Sequence, residues 1–133
     1  MAWPKWQHPI DIVLPIPLHL RRQRQRGYNQ SELLVREMQK EFGWKGDPTM
    51  LVRSRQTKPQ LGLTAIERRA NVRGAFGAES SRVSGKRILL VDDVCTTGST
   101  LTAAADALLD AGAQSVSAYC LTIALGDQVI TSA

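Results

Sequence analysis

A chain of 133 residues with 43% hydrophobic and 22% charged content has the make-up of one soluble globular domain with a real, if small, core. No apolar run approaches the roughly 20 residues that span a bilayer, and residues 1–6 lack the apolar centre of a secretory signal, so a cytoplasmic protein without membrane insertion is expected. Two cysteines exclude a disulfide framework or an all-cysteine zinc site, His8 and His19 have no ligand-like spacing, and the net charge of +5 favours anionic partners.

In chain order, residues 10–16 read as a first strand, closed by Pro15 and Pro17. An Arg-rich loop follows over residues 18–28. Asn29 and Glu32 have capping-box spacing and open a helix with Leu34, Met38 and Phe42 on one face, stopped by Gly43. Residues 49–53 read as a short second strand. The stretch 54–63 carries turn-formers and charge without an apolar period, as a loop does. Thr64 and Glu67 suggest a cap and a short helix to Asn71. Residues 74–78 read as a strand, 80–85 as a turn, and 87–92 as a strand. A helix from about Ser99 to Gly112 and a last strand over 115–123 complete the pattern. This βαβ rhythm predicts an α/β fold, a parallel sheet flanked by helices.

Basic residues concentrate in the middle. Thirteen of the 17 Lys and Arg fall between Arg21 and Arg73, against five of the 12 acids. Such a stretch suits a nucleic-acid surface, a polyphosphate site or a solvated face. Aromatic content of 5% argues against an extended stacking platform for single strands.

The most informative segment is Ile88-Leu-Leu-Val-Asp92-Asp93-Val-Cys95-Thr96-Thr97-Gly98-Ser99-Thr100-Leu101. A continuous branched apolar run predicts a strand buried on both faces of a parallel sheet. Two carboxylates and a small hydroxyl-and-glycine loop follow, then an Ala/Leu-rich helix. In open α/β sheets ligands collect at the carboxyl ends of strands, where this loop would lie. Backbone N–H groups leading into a helix cradle an anion, and Thr and Ser hydroxyls add donors. Asp92 and Asp93 repel phosphate but suit the hydroxyls of a sugar whose phosphate lies in the loop. A strand–turn–helix junction with Asp93 or Ser99 as N-cap explains one polar residue, not the whole series. Cys95 falls in this loop and Cys120 in a strand, where a small loop residue and a small core residue are expected.

The run Val91 to Thr100 resembles the 5-phosphoribosyl-1-pyrophosphate (PRPP) motif of type I phosphoribosyltransferases. That resemblance implies that Thr96, Thr97, Gly98, Ser99 and Thr100 hold the 5-phosphate, while Asp92 and Asp93 hold the ribose 2- and 3-hydroxyls. A second constellation, Arg21-Arg22-Gln-Arg24-Gln-Arg26-Gly27-Tyr28-Asn29-Gln30, follows the first strand on the same edge. Forked Arg donors match phosphate oxygens, and Gly27 permits close backbone approach. With Leu14-Pro-Ile-Pro-Leu18, Arg53-Ser-Arg55-Gln-Thr57, Gln60, Arg68 and Asn71-Val-Arg-Gly-Ala-Phe76, it is similar to the ComF/GntX group of phosphoribosyltransferase-like proteins.

The resemblance covers residues 11–124 and implies a 10–124 phosphoribosyltransferase-like domain, with 1–9 as an N-terminal extension and 125–133 as a C-terminal tail. It assigns Arg22, Arg26, Gly27, Tyr28, Asn29 and Gln30 to the pyrophosphate side. It makes 53–63 a mobile loop whose Arg53, Arg55 and Lys58 neutralise departing diphosphate. Mg²⁺ carried by the PRPP pyrophosphate is the implied cofactor, with no direct protein metal site. Relatives usually begin with a cysteine zinc module, and no Cys-x-x-Cys precedes Ile10 here. No segment reads as the hood that selects an acceptor base, so the hood is expected to be reduced or absent. Two functions follow from the resemblance. One is phosphoribosyl transfer to a nitrogenous base with release of pyrophosphate, linked to competence and DNA uptake. The other is a non-catalytic adaptor of DNA uptake that binds single-stranded DNA weakly or meets a protein of the competence machinery.

Overall fold

The computed structural model describes residues 6, 8–17, 30–53, 76–95, 98–123 and 128–132. The Arg-rich segment 18–29, the expected helix near 64–71 and residues 96 and 97 lie outside them.

Four strands form the main sheet in the order β1 (Ile12–Pro15), β4 (Arg87–Cys95), β5 (Ser115–Ile123), β6 (Gln128–Ser132). β1, β4 and β5 are parallel, with Ile12 opposite Ile88 and Arg87 opposite Ser115. β6 is antiparallel to β5, Val116 opposite Ser132. The parallel core is the expected one. The extra strand corrects the reading of 115–123 as the last, because the chain folds back and pairs within 125–133.

β4 runs through the middle of the sheet, and Ile88, Leu89, Leu90 and Val91 are fully buried. Residues buried on both faces cannot alternate polar with apolar, which is why this run reads as continuous hydrophobicity. The strand's period of two divides the core. Ile12, Leu14, Ile88 and Leu90 pack with Leu101, Ala104 and Leu108 of helix α3 (Ser99–Asp110). Val13, Leu89, Val91 and Tyr119 pack with Leu34, Val35 and Met38 of helix α1 (Gln30–Phe42) on the other face. Pro15 is tolerated within β1 because its missing N–H points outward. The Ile16 N–H is the one that turns inward, to the Val91 carbonyl at 2.9 Å.

α1 buries Ser31, Leu34, Val35 and Met38, spaced i, i+3, i+4, i+7. Phe42 shares their direction but overshoots the sheet. It is 37% exposed and stacks on Trp44 at 4.5 Å instead of entering the core. After Gly43 the chain meets the start of β1, where Lys45 bridges Ile12. Trp6 folds over this face, edge-on to Trp44 at 5.6 Å and to Tyr119 at 5.9 Å.

A separate antiparallel ribbon, β2 (Leu51–Arg53) with β3 (Phe76–Ala78), covers the α3 side. Its entry is a 3₁₀ turn (Pro48–Met50) rather than strand from Thr49. Asp47 caps that turn by accepting from the Thr49 N–H at 2.8 Å, and Pro48 fits a position that needs no donor. Residues 80–85, expected as a turn, open with one helical turn, α2 (Ser80–Val83). Arg82 of α2 reaches back to Thr49 at 2.9 Å and Glu79 at 3.2 Å, tying the ribbon's lower end together.

Candidate functional site at the carboxyl edge of the sheet

The site is built where β4 gives way to α3. β4 extends three residues further than expected, to Cys95, paired with β5 as far as Cys95 opposite Ile123. Asp93 therefore joins Asp92 on the strand, and both are half-buried. The alternation that sends Leu90 toward α3 and Val91 toward α1 continues through them. Asp92 springs from the α3 face and Asp93 from the α1 face.

Gly98 caps α3 with φ of 79°, the left-handed region, so a glycine is what lets the backbone turn into the helix there. Its carbonyl accepts from the Thr102 N–H at 2.9 Å. Ser99 and Thr100 form the first turn, Thr100 is exposed, and no acid stands in that turn to oppose an anion. A strand end bearing two carboxylates thus faces the positive end of a helix. That pairing can hold a molecule with hydroxyls on one part and a phosphate on another. Thr96 and Thr97 lie outside the described residues.

The second constellation enters through α1. Because α1 runs back to Lys45 at the foot of β1, its first residue, half-buried Gln30, stands at the carboxyl edge. Arg22, Arg26, Gly27, Tyr28 and Asn29 lie outside the described residues, as do Arg55 and Lys58. Arg53 stands at the strand end that the reading of 49–53 expected, and residues 54–63 of the expected loop lie outside the described residues. Arg53 ends β2, opposite Phe76, with its guanidinium 4.8 Å from the ring centre. The sequence pattern gave no chemical role to Phe76, although the Gly-Ala-Phe run carried part of the resemblance.

Among the described residues no group of three or more His, Cys, Asp or Glu is arranged to hold a metal ion. Asp92 and Asp93 leave β4 on opposite faces and do not make one shared donor set; a Mg²⁺ ion there would keep most of its waters and be carried by a ligand's phosphates. No helix among the described residues is long and apolar enough to cross a membrane.

A family model describing the phosphoribosyl transferase domain matches residues 29–128. The chain belongs to the phosphoribosyl transferase domain family. Within that family it is 40% identical over 111 residues to the DNA utilization protein YhgH of Escherichia coli O157:H7, covering 84% of this chain and 48% of that protein. It is 34% identical to competence protein F of Haemophilus influenzae, covering 82% and 48%. Identity to competence protein ComFC of Bacillus subtilis is also 34%, covering 83% and 43%. These relatives support the ComF-like branch of the family, and the chain spans about half their length. A solved structure of the allosteric regulatory enzyme of purine biosynthesis shares the fold, with a TM-score of 0.57 at 22% identity over 86% of this chain and 22% of that one.

Proposed function

We propose that this domain binds PRPP with Mg²⁺ at the carboxyl edge of its sheet and, when an acceptor is present, transfers the phosphoribosyl group to a nitrogenous base. The observation that supports the reading is the succession of Asp92 and Asp93 at the end of β4, Gly98 at its left-handed turn, and the acid-free first turn of α3. The 5-phosphate lies against 96–100, a stretch whose residues supply backbone N–H groups and hydroxyls. Asp92 and Asp93 accept hydrogen bonds from the ribose 2- and 3-hydroxyls, one from each face of the strand. The diphosphate points toward Arg22 and 26–30, which precede and open α1. Bound Mg²⁺ supplies charge neutralisation on the diphosphate.

In the transfer the C1–O bond to diphosphate breaks, the acceptor nitrogen bonds to C1 from the opposite side, and its proton leaves to solvent. The chain's part is positioning and stabilisation of charge as the ring becomes oxocarbenium-like. A multiply charged sugar phosphate does not cross bilayers, so its binder belongs where the sugar is made, and we place the domain in the cytoplasm. The relatives' names carry the setting, competence and use of DNA. They also favour the second reading, an adaptor in which PRPP is a signal and no transfer occurs.

Calorimetric titration with PRPP and Mg²⁺ tests the binding. The unmodified protein binds, and Asp92→Asn with Asp93→Asn weakens the affinity at least about tenfold, the scale of losing charge-assisted hydrogen bonds, with an unchanged circular dichroism spectrum. No heat from the unmodified protein at millimolar PRPP would overturn the proposal. Release of pyrophosphate during incubation with bases separates transferase from adaptor.

A further inference from the structure

The β2–β3 ribbon is oriented by its lower end. Glu79, just after β3, donates its N–H to the Met50 carbonyl at 3.3 Å, and α2 leads directly from there to the foot of β4. The Leu51–Ala78 pair is therefore the end near the strand starts, and the Arg53–Phe76 pair points to the carboxyl edge. The 3₁₀ turn before β2 packs on β1, whereas β3 packs on α3. The ribbon consequently lies on the β1 side of α3, on the sheet face from which Asp92 springs.

Within the ribbon, Leu51, Phe76 and Ala78 are core residues, and Arg53 shares the face of Leu51 by the period of two. Phe76 is 3% exposed, so its ring is fixed by packing. The Arg53 guanidinium lies over that ring at 4.8 Å, within cation–π range, and its Nε is buried. The packed ring is thereby one of the contacts that restrict this many-rotamer side chain.

Resting on the PRPP reading, we infer that Phe76 is a positioning residue, whose ring fixes Arg53 as a strand-borne cation for the diphosphate end of PRPP. The β1 side of the edge is where the diphosphate lies in that reading, away from the 5-phosphate cradle at the start of α3. Arg53 then contributes charge already in place before the ligand arrives, with no ordering of a long side chain on binding. Lysine in its place keeps the charge but loses the planar stack.

The test is a double-mutant cycle read in ligand affinity, with PRPP and ribose 5-phosphate titrated into Phe76→Leu, Arg53→Met, Arg53→Lys and the Phe76→Leu/Arg53→Met pair. Arg53→Met weakens PRPP by about tenfold and ribose 5-phosphate by less than about threefold, the bias expected of a diphosphate contact. Phe76→Leu and Arg53→Lys show the same ligand bias at smaller size, and Phe76→Leu adds nothing once Arg53 is Met. A further loss from Phe76→Leu in the Arg53→Met background, or equal losses for both ligands, would make the ring merely structural and overturn the inference. If Phe76→Leu does not fold, Arg53→Lys decides alone, and full PRPP affinity in that variant overturns it. Unmodified protein that ignores PRPP removes the functional reading itself, a result distinct from normal binding with unaffected variants.

Discussion

Gly46 lies under the outer edge of β1, with φ of 137°, and a Cβ there would overlap the Val13 carbonyl oxygen. That carbonyl belongs to the backbone of a fully buried strand residue, so it cannot swing aside as a flexible side chain would. The same contact lets the Lys45 carbonyl accept from the Val13 N–H at 2.9 Å, which satisfies a donor that an edge strand otherwise leaves to water. Gly46→Ala therefore combines backbone overlap with a disfavoured φ and is expected to cost about 3 kcal/mol or more. The urea midpoint reads this directly. A variant within about 0.5 kcal/mol of the original, the size of an ordinary surface change, would mean the strand yields at that point. On the proposed reading Asp92 and Asp93 are the complementary case, positions whose change is expected to alter ligand binding rather than stability. Adjacent in sequence, they leave β4 on opposite faces, so in that reading neither carboxylate would take over the other's hydroxyl.

Strands β1 and β4 are fixed at their feet by a charged clasp. The Asp11 carboxylate accepts from the Arg87 backbone N–H at 2.9 Å and from Nε and Nη2 of the same residue at 2.9 and 2.8 Å. The Asp11 N–H donates in turn to the Arg87 carbonyl at 2.8 Å. Hydrogen bonds from the Arg87 side chain, then from its backbone N–H, hold the Asp11 carboxyl well below the usual carboxylate range; desolvation opposes them in part, and the positive charges of Arg87 and Lys86 make smaller additions. A carboxylate depressed in the folded state stabilises the protein above its unfolded value of about 3.9 and loses that contribution as pH falls toward the folded value. Asp11→Asn should accordingly be less stable than the original near neutrality, with the gap closing between about pH 5 and pH 2. Chemical denaturation across that range checks it, and a constant gap would assign the effect to packing. This clasp lies where β1 and β4 begin their pairing, with Ile12 opposite Ile88 and Pro15 opposite Val91. Among the elements, β4 and α3 were legible because continuous apolar residues, a small-residue loop and an Ala-rich run are local signals. α1 was legible from its spacing, though Phe42 shows that a periodic face does not reveal where the underlying sheet stops. β6 was not legible, since a five-residue strand paired antiparallel at an edge has no required periodicity. The strand ending at Arg53 was legible, but its contact with Phe76 was not: the two are distant in sequence, and only pairing discloses that they meet.

At the scale of the molecule the sheet has two unlike ends. The feet of the strands carry the Asp11–Arg87 clasp and, on the α1 face, the Trp44–Phe42 stack, all structural. The carboxyl edge carries Asp92, Asp93, the start of α3, Gln30 and Arg53. Most of the basic residues are concentrated in 21–73, with 13 of 17 there, and this stretch contains both the segment that enters α1 and the ribbon. On the proposed reading a polyanion is drawn to the same charges as PRPP, which sets what to expect of DNA. Binding should be weak and independent of sequence, because few aromatics are present to stack bases and phosphate contacts carry no sequence information. Neutralising about four phosphates of a single strand gives a loss of roughly fiftyfold in affinity between about 50 and 200 mM salt, through counterion release. PRPP with Mg²⁺ should compete, shifting the single-stranded DNA curve to lower affinity in fluorescence anisotropy at constant ionic strength. Tight binding that persists at physiological salt and ignores PRPP would put DNA at a surface of its own, and the adaptor would then be the better account of this domain.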